Sequence, residues 1–215
     1  MSEIINNKIY KTYRIKFEKT GVAKYISHLD LNRLFARSLA RAKIEVAHSE
    51  GFNPHPKIVF ASAISLGTES FCEFVDIKIL RVFEKIKDFF PQGINIFEIY
   101  EPETKFSDID KTRYNIFVKP NDFGMDIDDL NKLFKGDVFV EKKPGITINL
   151  KDYILELIIS DSEREYKLID AVVKTNQEMF LNPENIIKAI NLKYSVGDYF
   201  IQKCEVYDKN GGIFK

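Results

Sequence analysis

The sequence predicts an α+β protein whose 215 residues form two successive halves with a similar order of elements. Three observations lead to this fold class. Strand-like stretches are rich in Tyr, Ile and Phe, helix-like stretches place apolar residues on one face, and a polar stretch separates two similar patterns. That polar stretch is residues 102–111. We therefore expect an N-terminal half of residues 1–105 and a C-terminal half of residues 106–215.

The N-terminal half has the pattern βαββαβ, which is the ferredoxin-like order. The predicted strands cover residues 10–19, 56–62, 72–80 and 94–101, and the predicted helices cover residues 30–43 and 81–90. In the first helix the apolar residues fall on one face, namely Leu31, Leu34, Phe35, Leu39 and Ala42. In the second they are Val82, Phe83, Ile86, Phe89 and Phe90, and Pro91 ends that helix.

The C-terminal half repeats a similar order. Strands are predicted at residues 112–119, 137–142 and 198–208, helices at 125–136 and 182–193, and a hairpin from 152–160 and 165–175. Asn182 followed by Pro183 is a typical helix start, with an N-cap and a proline at the first helical position. The chain thus predicts two tandem ferredoxin-like halves. One continuous α+β sheet is the alternative, because the halves share little sequence.

Composition narrows the class of protein. Hydrophobic residues make up 45% of the chain and charged residues 30%, which is ordinary for a globular domain. No run of 18 apolar residues predicts a membrane span, and the N-terminus lacks the features of a signal peptide. Cys72 and Cys204 belong to no CxxC motif, which favours a reducing cytoplasm. Two cysteines are too few for an iron–sulfur cluster, so we expect no cofactor in this chain.

The charge is unevenly distributed, although the whole chain has a formal net charge of zero. Residues 1–60 contain eleven Lys and Arg against five Asp and Glu, a net charge of +6. Such a basic segment on a neutral protein indicates a local anionic partner.

The stretch "SHLD" and the helix after it hold the first candidate residues. Ser27 and Asp30 form a pattern that closely resembles a capping box. Capping does not explain His28, which either binds a ligand, acts as a base, or fills a gap against the sheet. Further along, Arg33, Arg37 and Arg41 recur every four residues and predict one exposed basic surface, the arginine surface. It is either a solvated helix face or a site for phosphate or carboxylate groups.

The second candidate region is the loop "HSEGFNPHPK", residues 48–57. Gly51 permits an unusual turn, and Asn53-Pro54 and His55-Pro56 predict a stiff, extended backbone. A rigid turn alone would not require the other residue types of the loop, which are typical of a site. The candidate ligand-binding residues are His28, Arg33, Arg37, Arg41, His48, Phe52, Asn53, His55 and Lys57. No metal site is expected, since the three histidines have no zinc-like spacing and no cysteine lies near them.

These motifs resemble a known family. "GVAKYISHLDLNRLFARSLARA" and "HSEGFNPHPKIVFASAISLGTES" are similar to the radical SAM-linked bacterial proteins of the domain of unknown function DUF2344, as are "KPGITINLKDYILEL" and "NPENIIKAI". The resemblance covers most of the chain. It implies a working partnership with a radical SAM iron–sulfur protein, in which the partner would supply the radical chemistry.

Three functions follow as hypotheses. The first is a substrate-recognition module that binds RNA or another anionic ligand through the basic helix and the His/Pro loop. The second is a scaffold that docks the radical SAM enzyme through this loop. The third is a metal-independent endoribonuclease, with His28 or His55 as general base and Lys57 or an arginine stabilising the charged transition state.

Overall fold

The computed structural model describes residues 2–5, 8–81, 84–121 and 125–215. It divides into two compact units, which we call the N-terminal unit (Met1–Phe106 with Lys215) and the C-terminal unit (Ser107–Phe214). Strands and helices are mixed in both units, and the strands within each unit pair antiparallel. The α+β class is therefore confirmed.

The N-terminal unit is a sheet centred on one long strand. Its elements are β1 (Ser2–Ile5), β2 (Lys8–Lys19), α1 (His28–Arg41), β3 (Ile58–Phe60), β4 (Glu69–Ile79) and β5 (Ile94–Tyr100), with 3-10 helices at Gly21–Tyr25 and Glu84–Phe89. Strand β2 pairs with β4 along one edge and with β1 and β5 along the other. Strand β3 pairs with the far edge of β4, so four strands lie in the order β5-β2-β4-β3.

Helix α1 covers one face of this sheet. Ile15 and Phe17 of β2 and Val75 and Ile77 of β4 are fully buried, and they pack with the apolar side of α1. The predicted helix face is confirmed, with Leu31, Phe35, Leu39 and Ala42 buried and Leu34 partly buried. Because side chains alternate along a strand, the residues between them, such as Arg14 and Asp76, point to the opposite face.

Two predicted elements of this half differ in the structure. The helix expected at 81–90 is a 3-10 helix at Glu84–Phe89, while Val82 and Phe83 lie outside the described residues. Pro91 disfavours helical backbone at Phe90, and the Phe90 amide closes the run with a bond to the carbonyl of Lys87, three residues back, at 3.3 Å. The strand expected at 56–62 shortens to Ile58–Phe60, because Pro56 has no amide and the Lys57 amide bonds to the Ala47 carbonyl instead.

The C-terminal unit is built on four antiparallel strands. Its elements are β6 (Ile109–Pro120), α2 (Ile127–Lys135), β7 (Phe139–Lys143), β8 (Ile146–Asn149), β9 (Ile154–Asp161), β10 (Lys167–Lys174), α3 (Glu184–Asn191) and β11 (Val196–Asp208). Four strands lie in the order β11-β6-β10-β9, and β7 and β8 form a separate hairpin. The predicted β9–β10 hairpin is confirmed, whereas β8 was not predicted.

Helix α3 begins at Glu184, one residue after the predicted start, with Pro183 at its N-cap. The Asn182 side chain accepts a hydrogen bond from the Glu184 amide at 3.1 Å, and Pro183 has helical angles, with φ −59° and ψ −22°. The helix then buries Ile186, Ile187 and Ile190 in the core of the unit. Within the described ranges, no helix combines the length and the apolar character that a membrane crossing requires.

Candidate functional site

The start of α1 is fixed by the predicted cap. Ser27 Oγ accepts the Asp30 amide at 3.1 Å and donates to Asp30 Oδ2 at 2.8 Å. The Asp30 carboxylate thus accepts a hydrogen bond from the Ser27 hydroxyl. In the usual capping box a glutamate, whose side chain is longer, reaches the backbone amide of the N-cap residue instead. The Ser27 hydroxyl, followed by Arg33, lowers the pKa of the Asp30 carboxyl. A charged carboxylate therefore complements the amino end of the helix dipole.

The arginine surface lies on the solvent side of α1, as the spacing predicts. Arg33, Arg37 and Arg41 are all exposed and line one open depression of about 830 Å³ beside Pro91. Arg33 pairs with Asp30 at 3.0 Å, and Arg41 Nη2 donates to the Phe89 carbonyl at 2.6 Å.

Arg37 differs from its two neighbours. Within the described part of the chain, its guanidinium has no hydrogen-bond or ion-pair partner. All five of its N–H donors are therefore available to a ligand or to water.

His28 lies at the first position of α1. Its ring meets the Phe60 ring edge-on, with the centroids 5.4 Å apart, while the residue as a whole is exposed. Phe60 in turn contacts Phe17 and Phe35 in the core beneath α1. His28 therefore borders the core, and it lies on the α1 face of the sheet.

The loop at 48–57 is closed by its own hydrogen bonds. The Ser49 amide donates to the His55 carbonyl at 2.8 Å, and the His55 amide donates to Ser49 Oγ at 3.0 Å. Gly51 at the tip has φ +123°, a conformation that favours glycine. Phe52 next to it is fully exposed, at 103%. The loop thus exposes the Phe52 ring to solvent, while hydrogen bonds between Ser49 and His55 hold its two ends together.

The other residues of the loop point in several directions. Asn53 is exposed beside Phe52 at the tip. His48 lies at the base, where its Nδ1 is 3.0 Å from the Val46 carbonyl oxygen. His55 and Lys57, at the end of the loop, both line a cavity in the N-terminal unit.

This cavity, which we call the lysine cavity, has a volume of about 590 Å³. Its charged lining comes from Lys57, Asp76, Lys78, Glu103 and Lys105, its apolar lining from Pro56, Ile58, Val59, Pro102 and Phe106, and the rest from Thr12, Ser49, His55 and Thr104. Ile58 and Phe60 belong to the core beneath α1, so Lys57 and Val59 alternate to the other side. The cavity therefore opens on the face of the sheet opposite α1.

The structure divides the predicted residues between separate places. His28 and the arginine surface are on the α1 face, His55 and Lys57 are in the lysine cavity, and Phe52 and Asn53 are at the loop tip. The histidines at 28 and 55 therefore do not meet, although the sequence places them close together. The alternation of Lys57, Ile58, Val59 and Phe60 was the available signal for this division.

Arg14 was not among the site residues predicted from the sequence. Its side chain is fully buried on the cavity side of the sheet. Nε and Nη2 donate to the two Asp76 carboxylate oxygens at 2.7 and 2.9 Å, and Nη1 donates to Thr104 Oγ1 at 2.8 Å. The guanidinium also lies 4.4 Å from the centre of the Phe106 ring. Arg14 therefore fixes the segment 102–106, which forms one wall of the lysine cavity.

Metal-ligating side chains do not converge in the part of the chain that the structure describes. No three His, Cys, Asp or Glu residues there are grouped so that they could hold a metal ion. Both cysteines are free thiols, with Cys72 buried and Cys204 half-buried.

Solved structures were matched at low sequence identity. A chain of a Cbf5–Nop10–Gar1 complex is 8% identical with a TM-score of 0.53, over 90% of this chain and 48% of that chain. A chain of the archaeal box H/ACA sRNP Nop10–Cbf5 complex is 9% identical with a TM-score of 0.49, over 89% and 46%. An unknown protein from Galdieria sulphuraria is 11% identical with a TM-score of 0.27, over 90% and 98%.

The match with a TM-score of 0.53 shows a similarity of fold alone. The chain spans about half the length of the first two matched chains. No curated protein matches it in sequence. A family model does match, over residues 12–183, and it describes an uncharacterised protein conserved in bacteria, DUF2344. That match covers both candidate regions and extends into the C-terminal unit. The chain belongs to the DUF2344 family.

Proposed function

We propose that the protein is a recognition module that binds RNA, or another polyanion, through the arginine surface of α1. The observation that carries this proposal is the exposed row of Arg33, Arg37 and Arg41, in which Arg37 makes no hydrogen bond or ion pair within the described residues. Four residues advance about 6 Å along a helix, so an extended phosphate backbone can contact more than one of the three guanidinium groups.

Charge supports the same ligand class. The N-terminal unit contains seventeen Lys and Arg against thirteen Asp and Glu, a net charge of +4. Arginine donates in a planar fork that fits phosphate oxygens, and it loses less hydration than lysine when it does so. Asp30 already neutralises part of Arg33. We therefore assign the largest share of the binding to Arg37, with Arg41 and Arg33 on either side.

Fluorescence anisotropy with a labelled single-stranded RNA, measured over a range of salt concentrations, tests this proposal. We expect affinity to fall as salt rises, and Arg37→Gln to reduce the slope of log K against log salt by about 0.7, the value for one phosphate contact on a single strand. Lys132→Gln is the matched control, because Lys132 is a highly exposed cation outside the surface, with its side chain 73% exposed. An affinity that does not depend on salt concentration, or that Arg37→Gln and Lys132→Gln weaken equally, would contradict the proposal.

The partner of this module, in our proposal, is a radical SAM iron–sulfur protein, and both act in the cytoplasm. The family resemblance motivates the partnership. Two free cysteines in separate units offer no ligand set for a cluster, so the cluster would belong to the partner. Free thiols also agree with a reducing compartment.

We further propose that each unit is a ferredoxin-like domain. Numbered within each unit by the βαββαβ scheme, the strand order β5-β2-β4-β3 is 4-1-3-2, and so is β11-β6-β10-β9. The second helix of the N-terminal unit is reduced to a 3-10 helix, and the β7–β8 hairpin is an insertion in the C-terminal unit. The repeated strand order supports two tandem domains of one plan.

A docking scaffold is the second candidate function, and Phe52 favours it. A fully exposed phenylalanine on a hydrogen-bonded loop is typical of the aromatic anchors in protein interfaces. The RNA measurement separates the two candidates, because a pure scaffold would show no RNA affinity. An endoribonuclease would have to use His28 or His55 singly, since these residues lie on opposite faces of the sheet.

A further inference from the structure

We propose that the lysine cavity binds a small phosphorylated organic compound with a flat apolar body, at a site separate from the arginine surface. This site lies on the face of the sheet opposite α1, and it does not depend on RNA binding. Its ligand class follows from the volume of the cavity, the charge of its lining and the rigidity of its wall.

The size and the walls fit a small molecule. A volume of about 590 Å³ lies within the range of about 300 to 1,000 Å³ that is usual for ligand pockets. Pro56, Val59, Pro102 and Phe106 give the cavity apolar walls. Val59 is 57% exposed, although it is a β-branched apolar residue in a strand. A flat apolar group placed against these walls would remove its own surface and that of Val59 from water.

The charge of the lining favours an anion. Lys57, Lys78 and Lys105 contribute three positive charges to it. The lining also contains two carboxylates, of which Asp76 pairs with Arg14 and Glu103 is the second, so positive charges outnumber negative ones. Lysine binds phosphate as a point charge from any direction, and a phosphate monoester with a charge of about −1.5 to −2 gains more from several lysines than a singly charged carboxylate does. Three lysines around one cavity therefore indicate a phosphate group more than a carboxylate.

The cavity wall is held in place without a ligand. Arg14 Nη2 donates to the Thr104 carbonyl at 3.0 Å, in addition to its bonds with Asp76 and the Thr104 hydroxyl. The same guanidinium supports the Phe106 ring. On the other side, the loop that supplies His55 is closed by its hydrogen bonds to Ser49. A preformed cavity loses less entropy on binding than a flexible one, which raises its affinity for a small ligand.

Three probes separate the parts of this ligand. Phenyl phosphate carries a ring and a phosphate, inorganic phosphate carries the charge alone, and phenol carries the ring alone. In isothermal titration calorimetry with the full chain, we expect phenyl phosphate to bind at least about tenfold more tightly than either fragment, since burial of a ring and one charge-assisted hydrogen bond each contribute about that factor. Equal affinity for phenyl phosphate and inorganic phosphate would overturn the proposal.

Variants locate the binding. Val59→Glu introduces a carboxylate at an exposed position of the wall, and we expect it to weaken phenyl phosphate binding by about tenfold or more through repulsion. Val59→Gln, which adds similar bulk without charge, should weaken it less, and Lys57→Gln should weaken it in the same direction as Val59→Glu. Lys132→Gln should leave it unchanged. If Val59→Glu is folded by circular dichroism and still binds normally, the proposed site is wrong.

Discussion

At the scale of single residues, two arginine–aspartate pairs on strands show how burial decides the role of a charge. Arg14 pairs with Asp76 in the N-terminal unit, and Arg113 pairs with Asp170 in the C-terminal unit. The Arg14 side chain is 0% exposed, whereas that of Arg113 is 41% exposed. An ion pair in water contributes little, but a buried charge that loses its partner groups is strongly unfavourable.

This difference predicts unequal effects of the same substitution. We expect Arg14→Met to lower the free energy of unfolding by about 3 kcal/mol, because it leaves Asp76 and Thr104 without their donor in a largely buried place. Arg113→Met should lower it by less than about 1 kcal/mol, since its pair is partly hydrated. Urea unfolding of the two variants measures both values, and similar losses would contradict this account of burial.

The structural roles of some residues could be predicted from the sequence, and those of others could not. Ser27 and Asp30 were predictable, because a cap depends on residues three apart. The exposed arginines were predictable as well, because helical spacing alone places them opposite the apolar face. Arg14 was not, since its burial depends on Asp76 and Thr104, which lie 62 and 90 residues away in the chain.

At the scale of elements, α1 connects the cap, the core and the arginine surface. Its buried side is held by the sheet, and its first turn is held by Ser27. Local patterns predicted α1, α2, α3 and most of the longer strands. They failed at 81–90, where the spacing of apolar residues does not by itself distinguish an α-helix from a 3-10 helix, and they missed β1 and β8, which are only four residues long.

We expect Ser27→Ala to destabilise the protein by about 1 kcal/mol, the usual cost of losing an N-cap. The same change should raise the pKa of Asp30, because the Ser27 hydroxyl is the main cause of its lowered value. Urea unfolding at neutral pH measures the first effect, and NMR titration of the Asp30 carboxyl measures the second. Ser27→Thr keeps the hydroxyl and serves as the control, so an equal loss in this variant would speak against capping.

At the scale of the whole molecule, zero net charge conceals two units of opposite sign. The N-terminal unit carries +4, so the C-terminal unit carries −4. Long-range attraction of a polyanion depends on the local charge of the surface more than on the sum for the molecule. A neutral protein can therefore bind a polyanion through one unit.

Heparin chromatography at pH 7 and low salt tests whether the N-terminal unit alone can bind a polyanion. We expect the full chain to be retained although its formal net charge is zero. The double variant Arg33→Gln with Arg37→Gln should elute at lower salt. Lys132→Gln with Lys151→Gln removes the same charge from exposed positions of the C-terminal unit and should elute like the unaltered chain. Equal shifts for both double variants would show that net charge governs retention.

Strand β3 also limits how this protein can change during evolution. Its three residues, Ile58–Phe60, supply Phe60 to the His28 side and Val59 to the lysine cavity. Insertion or deletion of a single residue here would exchange the two faces of the strand. Such a change would put a lysine under α1 and remove the isoleucine from the core. Relatives should therefore vary this strand by substitution, while gains and losses of length are confined to the exposed loop tip around Phe52.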